Sequence, residues 1–114
     1  MTDESPKGQS ENEPGLETIL VRGGQTRSEH KETSEALFLT SGFVYDSAEE
    51  AEARFKGEAP GYLYGRYANP TNTMLQDRLR ALDGAEACRL TASGMAAVTA
   101  ALLAPLRSGD HVVA

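Results

Sequence analysis

Basic side chains are scarce in this 114-residue chain: 11 lysines and arginines stand against 17 acids, a formal net charge of −6. General nucleic-acid and anionic-membrane surfaces both need a basic footprint, so neither is expected as a partner. One isolated anion site is still compatible with an acidic protein, which leaves small phosphorylated ligands open. Cysteine occurs once, at Cys88. An intrachain disulfide framework is therefore impossible, and a reducing, cytoplasmic setting is expected. The opening "MTDESPKGQS" has no basic-then-apolar layout, so it does not read as a signal peptide. No apolar run approaches the roughly 20 residues of a membrane span. "NPT" at Asn69 is not a glycosylation acceptor, because proline fills its middle position.

Catalytic signatures are missing too. There is no Gly-Lys-Thr of a P-loop and no GxGxxG. The spacings assemble no Ser-His-Asp set and no carboxylate pair. His30 and His111 lack ligand-spaced partners and read as a loop residue and a strand-start residue, with no metal site. Cys88 sits in an apolar run without a nearby base and reads as a buried structural thiol. The acids Glu49, Glu50 and Glu52 read as a solvated helix face.

What is present has a clear order. Residues 1–15 hold almost no large apolar side chain and cannot offset their ordering entropy, so a disordered tail is expected. Leu16, Ile19 and Leu20 at i, i+3, i+4 predict a short helix stopped by Gly23-Gly24. "QTRSEHKETSE" predicts a loop, and "ALFLTSGFVYD" a buried extended segment. Asp46 or Ser47 can cap a helix over "SAEEAEARFKG", with acids in its first turn and Gly57 past its end. A glycine- and proline-rich connection leads to Asn69 as N-cap and Pro70 as first helical residue. Met74, Leu75, Leu79 and Leu82 share a face of that helix, which Gly84 closes. "EACRLT" reads as a strand, "ASG" as a turn, "MAAVTAALLAPL" as an apolar helix, and "HVVA" as the start of another strand. That is a βαβ unit, hence an α/β fold with a parallel sheet and a right-handed crossover. A helix apolar on every side needs cover on both flanks, and two parallel strands are not a viable core. The chain is therefore expected to be the N-terminal part of a longer protein.

Two features suit an anion. A Ser-Gly turn between strand and helix, at Ser93 and Gly94, offers free backbone N–H groups and the positive end of the helix dipole. Its alternative is a plain N-cap and turn. Tyr64 and Arg66, two apart in a segment read as extended, would point the same way and present a hydroxyl and a forked, always-charged donor. Their alternative is a surface arginine stacked on tyrosine.

Tyr-x-Arg followed by Asn-Pro-Thr, with "GAEAC…ASGMAAV…GDHVVA" beyond, resembles the Cys/Met-metabolism (trans-sulfuration) family of fold-type I pyridoxal-phosphate enzymes. The resemblance runs from Leu16 to Ala114. "SEALFLTSGFVYDSAEEAEARF" and "ASGMAAVTAALL" look most like the branch of that family acting on O-succinylhomoserine with sulfide, the alternatives being the cystathionine γ-synthase, O-acetylhomoserine sulfhydrylase and methionine γ-lyase branches or, in another class, a non-catalytic α/β phosphate- or partner-binding module. It implies that Ser93, Gly94 and Met95 cradle the phosphate of pyridoxal 5′-phosphate, chiefly through the backbone N–H of the last two. It also implies that Tyr64 and Arg66 reach across a dimer interface to the neighbouring subunit's cofactor. The implied enzyme is a homodimer or homotetramer with shared active sites, acting on a small amino-acid substrate. Residues 16–69 would form an N-terminal arm and inter-subunit segment, and 70–114 the start of the cofactor-binding α/β domain. Gly65 departs from the serine often found between the tyrosine and the arginine, which loosens the segment but keeps both donors. Covalent attachment of the cofactor needs a lysine in a desolvated pocket. Lys7, Lys31 and Lys56 lie in the tail, a polar loop and an acidic helix end. No catalytic residue is assigned, and the chain alone is expected to be inactive.

Overall fold

The computed structural model describes residues 14–113. Most of the expected tail, with Lys7 and Ala114, lies outside them. Four helices follow in order: α1 (Leu16–Arg22), α2 (Ala48–Lys56), α3 (Pro70–Asp83) and α4 (Gly94–Leu103). Local chemistry sets their limits. Ser47 is the cap of α2, its Oγ accepting the Glu50 N–H at 3.1 Å, while the Glu50 carboxylate accepts the Asp46 N–H at 2.7 Å. Glu50–Arg54 and Glu52–Lys56 pairs, both at 2.5 Å, run along the same helix at i, i+4. Pro70 opens α3 because its missing N–H would have had no helical partner.

α1 packs on α3, the one helix–helix contact among the described residues. Arg78 of α3 secures it: Nε donates to the Gly23 carbonyl at 2.8 Å, and the guanidinium pairs with Glu35. That arginine holds the Glu35 carboxyl below the usual carboxylate range through its hydrogen bond. In the loop after α1, the Ser28 backbone N–H and hydroxyl both donate to Glu32, at 2.8 and 2.7 Å. Its carboxyl is lowered to about 2 for that reason, the backbone N–H being the larger cause.

The expected strands over residues 86–91 and 111–114, and with them the βαβ unit, do not form among the described residues. One isolated antiparallel bridge, Gly42 to Tyr64, is the whole of the β structure there. A strand is defined by the ladder it shares, and no described segment supplies one to residues 86–91 or 111–113.

Burial departs from expectation for a related reason. No apolar side chain is buried among the described residues. Leu39 and Val44, from the segment expected to be buried, are 94% and 91% exposed. Met95 and Leu103 on α4 are 72% and 69% exposed, and Cys88 is only half-buried. The accessible surface is 9977 Å², where a compact chain of this mass would show about 6,000 Å². The radius of gyration is 19.2 Å, against about 13 Å for a compact domain of this length. These apolar faces have no covering layer within the described part of the chain.

Candidate functional site

Asn69 is the buried exception. Its side chain accepts the Thr71 N–H on Oδ1 at 2.9 Å, the ordinary capping bond. That fixes the amide's orientation and turns Nδ2 toward two carbonyls, Phe38 O at 2.9 Å and Thr40 O at 3.4 Å. Thr71 works beside it, its Oγ1 accepting the Phe38 N–H at 2.9 Å and donating to Ala36 O at 3.5 Å. Asn-Pro-Thr thus binds residues 36–40 to the start of α3. Reading Asn69 as a cap accounts for its oxygen only. The overlooked signal was the amide nitrogen, which a cap does not use.

The segment held by Asn69 and Thr71 runs on to Ser41 and Gly42, which meet the Tyr-x-Arg. The Gly65 N–H donates to Ser41 O at 2.8 Å, next to the Gly42–Tyr64 bridge. Residues 64–67 then form a turn, with Tyr67 N–H and Ala68 N–H reaching Tyr64 O at 2.9 and 3.2 Å. Tyr64 and Arg66 therefore do not lie in an extended run, as their spacing was read. The turn still brings them together. The Arg66 guanidinium lies 5.6 Å from the Tyr64 ring centre and 5.9 Å from that of Tyr67. Arg66 has no carboxylate partner among the described residues, unlike Arg54, Arg78 and Arg80. A shallow groove of about 290 Å³ runs between Phe38, Thr40, Tyr64, Arg66 and Asn69.

The second candidate set sits at the start of α4. Ser93 is its cap, Oγ accepting the Ala96 N–H at 3.2 Å, and the Thr91 hydroxyl donates to Ser93 O at 2.8 Å. The N–H groups of Gly94 and Met95 occupy the first helical positions and find no acceptor among the described residues. A side-chain atom added at Gly94 would enter open space, so a ligand can approach that backbone closely. The cap reading and the anion reading are thus compatible: Ser93 closes the third N–H and leaves two for a ligand. No hydrogen bond, ion pair or ring contact joins Tyr64 or Arg66 to Ser93, Gly94 or Met95 among the described residues. The structure gathers each set and does not join the two.

Neither described lysine has a pocket. Lys31 stands exposed in its loop, and Lys56 is exposed and paired with Glu52. What remains is a donor inventory: one guanidinium, one phenol, one serine hydroxyl and two backbone N–H groups at a helix start. All are donors suited to a phosphate, and no carboxylate is paired with them among the described residues.

Comparison with known proteins agrees with that chemistry. Residues 17–114 match the family model described as Cys/Met metabolism PLP-dependent enzyme, PLP being pyridoxal 5′-phosphate. O-succinylhomoserine sulfhydrylase of Mycobacterium tuberculosis is 49% identical over 122 aligned positions, covering 100% of this chain and 29% of the relative. The Pseudomonas aeruginosa protein of the same name is 48% identical over 98 residues, covering 86% of this chain and 24% of the relative. A solved Campylobacter jejuni structure, a putative O-acetylhomoserine (thiol)-lyase with N′-pyridoxyl-lysine-5′-monophosphate, superposes with a TM-score of 0.80. Its identity to this chain is 30%, over 86% of this chain and 24% of that one. This chain therefore spans 24% to 29% of the length of these curated relatives. With the family model matched across nearly its whole length, the chain belongs to the Cys/Met metabolism family of PLP-dependent enzymes.

Proposed function

We propose that this chain is the N-terminal part of an O-succinylhomoserine sulfhydrylase, which replaces succinate by sulfide at the γ carbon and gives homocysteine. The observation that carries the assignment is identity of 49% with a protein of that name along the whole of this chain. The complete protein is a cytoplasmic homodimer or homotetramer, with residues 16–69 as its arm and inter-subunit segment and 70–114 opening its cofactor-binding α/β domain.

The donor inventory fits the cofactor's phosphate. When bound, pyridoxal phosphate supplies the electron sink that allows a γ substituent of an amino acid to leave and be replaced. This chain's share is to hold that group still. Gly94 and Met95 N–H bind phosphate oxygens at the positive end of α4, and the Ser93 hydroxyl donates a third bond while its oxygen keeps the cap. Arg66 adds a charged fork, and Tyr64 a neutral donor at the same turn. These two act on the neighbouring subunit's cofactor, a role supported by their making no hydrogen bond or ring contact with Ser93, Gly94 or Met95 among the described residues.

The test uses the full-length protein. Arg66→Ala should raise the dissociation constant for pyridoxal phosphate roughly 10- to 100-fold, the range for one charge-assisted hydrogen bond. Equilibrium dialysis of the apo-protein measures it. An unchanged constant would remove Arg66 from the phosphate site. Homocysteine formation from sulfide, compared for O-succinyl- and O-acetylhomoserine, tests the substrate: faster turnover of the acetyl ester would reject the succinyl assignment.

A further inference from the structure

We propose that Asn69 is a positioning residue for the phosphate donors Tyr64 and Arg66, its own hydrogen bonds going to Phe38, Thr40 and Thr71. The inference rests on the phosphate role given to those two residues above. Three observations carry it. Asn69 is the one buried polar residue among those described, 8% exposed where no described apolar side chain is buried. All of its hydrogen-bonding atoms are engaged, Oδ1 on Thr71 N–H and Nδ2 on the Phe38 and Thr40 carbonyls. It also reaches both flanks of the Tyr64–Arg66 turn.

The second flank is the informative one. Downstream, Asn69 follows directly on Ala68, whose N–H closes the turn on Tyr64 O. Upstream, Nδ2 and Thr71 fix residues 36–40, and the next residue, Ser41, receives the Gly65 N–H. The turn is thus suspended between a helix start and a segment that the same side chain ties to that start. Gly65 lies so close to this segment that an added Cβ would stand 3.0 Å from Thr40 O. A displacement of Thr40 is therefore transmitted to Gly65, and from there to Arg66. Capping alone would be met equally by serine or aspartate. The donors on Nδ2 are what asparagine adds, and they point at the segment beneath the turn.

A double-variant cycle on the full-length protein separates positioning from plain stabilisation. Asn69→Asp keeps a capping oxygen but sets a carboxylate against two carbonyls. Thr71→Val removes the acceptor of the Phe38 N–H and serves should the first variant fail to fold. Each is made alone and combined with Arg66→Ala, and the dissociation constant for pyridoxal phosphate is measured by equilibrium dialysis. Alone, each should raise the constant about tenfold. In the Arg66→Ala background each should add clearly less than it does alone, about threefold, because only Tyr64 is then left to position. Full, multiplicative effects in both backgrounds would mean that Asn69 merely stabilises the fold, and would overturn the inference. So would constants unchanged by Asn69→Asp and Thr71→Val while Arg66→Ala raises its own. An Arg66→Ala protein that binds pyridoxal phosphate normally instead overturns the phosphate role beneath the inference.

Discussion

Gly24→Ala should undock α1 from α3, and the structure gives the size of the effect. Gly24 has φ +71°, and a Cβ there would stand 2.3 Å from the Met74 carbonyl oxygen and 3.0 Å from the Arg78 nitrogen. Both are backbone atoms of a regular helix, so no side chain can swing aside. The left-handed conformation alone costs an alanine about 1–2 kcal/mol. Relieving the overlap moves residue 24 away from α3 and breaks the Arg78 bond to Gly23 O, now 2.8 Å long, worth about 1.5–3 kcal/mol as a charged hydrogen bond. The sum is roughly 2.5–5 kcal/mol. Gly57→Ala is the control: its φ is +75°, but nothing lies within 4 Å of the added atom. It should cost only the conformational share, about 1–2 kcal/mol. Hydrogen exchange over Leu16–Arg22 in the full-length protein reads the difference directly. Gly24→Ala should accelerate it by about 100-fold or more, corresponding to roughly 3 kcal/mol of lost docking, while Gly57→Ala leaves it alone. Equal exchange in the two variants would refute the close approach of Gly24 to α3.

Two further outcomes can be checked, the first on the full-length protein and the second on this chain alone. Glu32 should titrate near pH 2 by carbon-13 NMR of its carboxyl. Because its folded pKa is depressed, the loop gains from the ionised form above the ordinary value of 4.5 and loses that gain as pH falls toward about 2. Ser28→Ala should return the titration only partway, since the backbone N–H at position 28 remains; a complete return would place the cause in the hydroxyl. In solution X-ray scattering, the 114-residue chain alone should show a radius of gyration near or above 19.2 Å and no cooperative thermal transition. A cooperative species near 13 Å would contradict the missing core.

The helix limits were legible in the sequence because their causes are local. Ser47, Asn69 and Ser93 each bond an N–H two or three residues on, and Gly57 and Gly84 stop the helices before them. A cap needs nothing from the rest of the chain. A strand does, which is why residues 86–91 carry a strand's composition without a strand's hydrogen bonds. Burial fails for the same reason: α4, read as apolar on every side, and residues 36–46, read as a buried extended segment, find no cover among the described residues.

The Tyr-x-Arg geometry was misread for a different reason. Alternation was applied to a segment with glycine at its middle, and glycine there favours a turn. The turn keeps Tyr64 and Arg66 adjacent by stacking instead of by parity. Asn69 shows where residue identity carries more than one meaning. Its oxygen is explained within three residues of the chain, whereas its nitrogen is explained by Phe38 and Thr40, about thirty residues away. Serine, threonine or aspartate could serve as a cap, so a cap that is asparagine and also buried has an amide to satisfy. That amide, together with Thr71, ties residues 36–40 to the start of α3. The Asn-Pro-Thr that sequence reading treats as the beginning of a helix is thus also the support beneath the Tyr64–Arg66 turn.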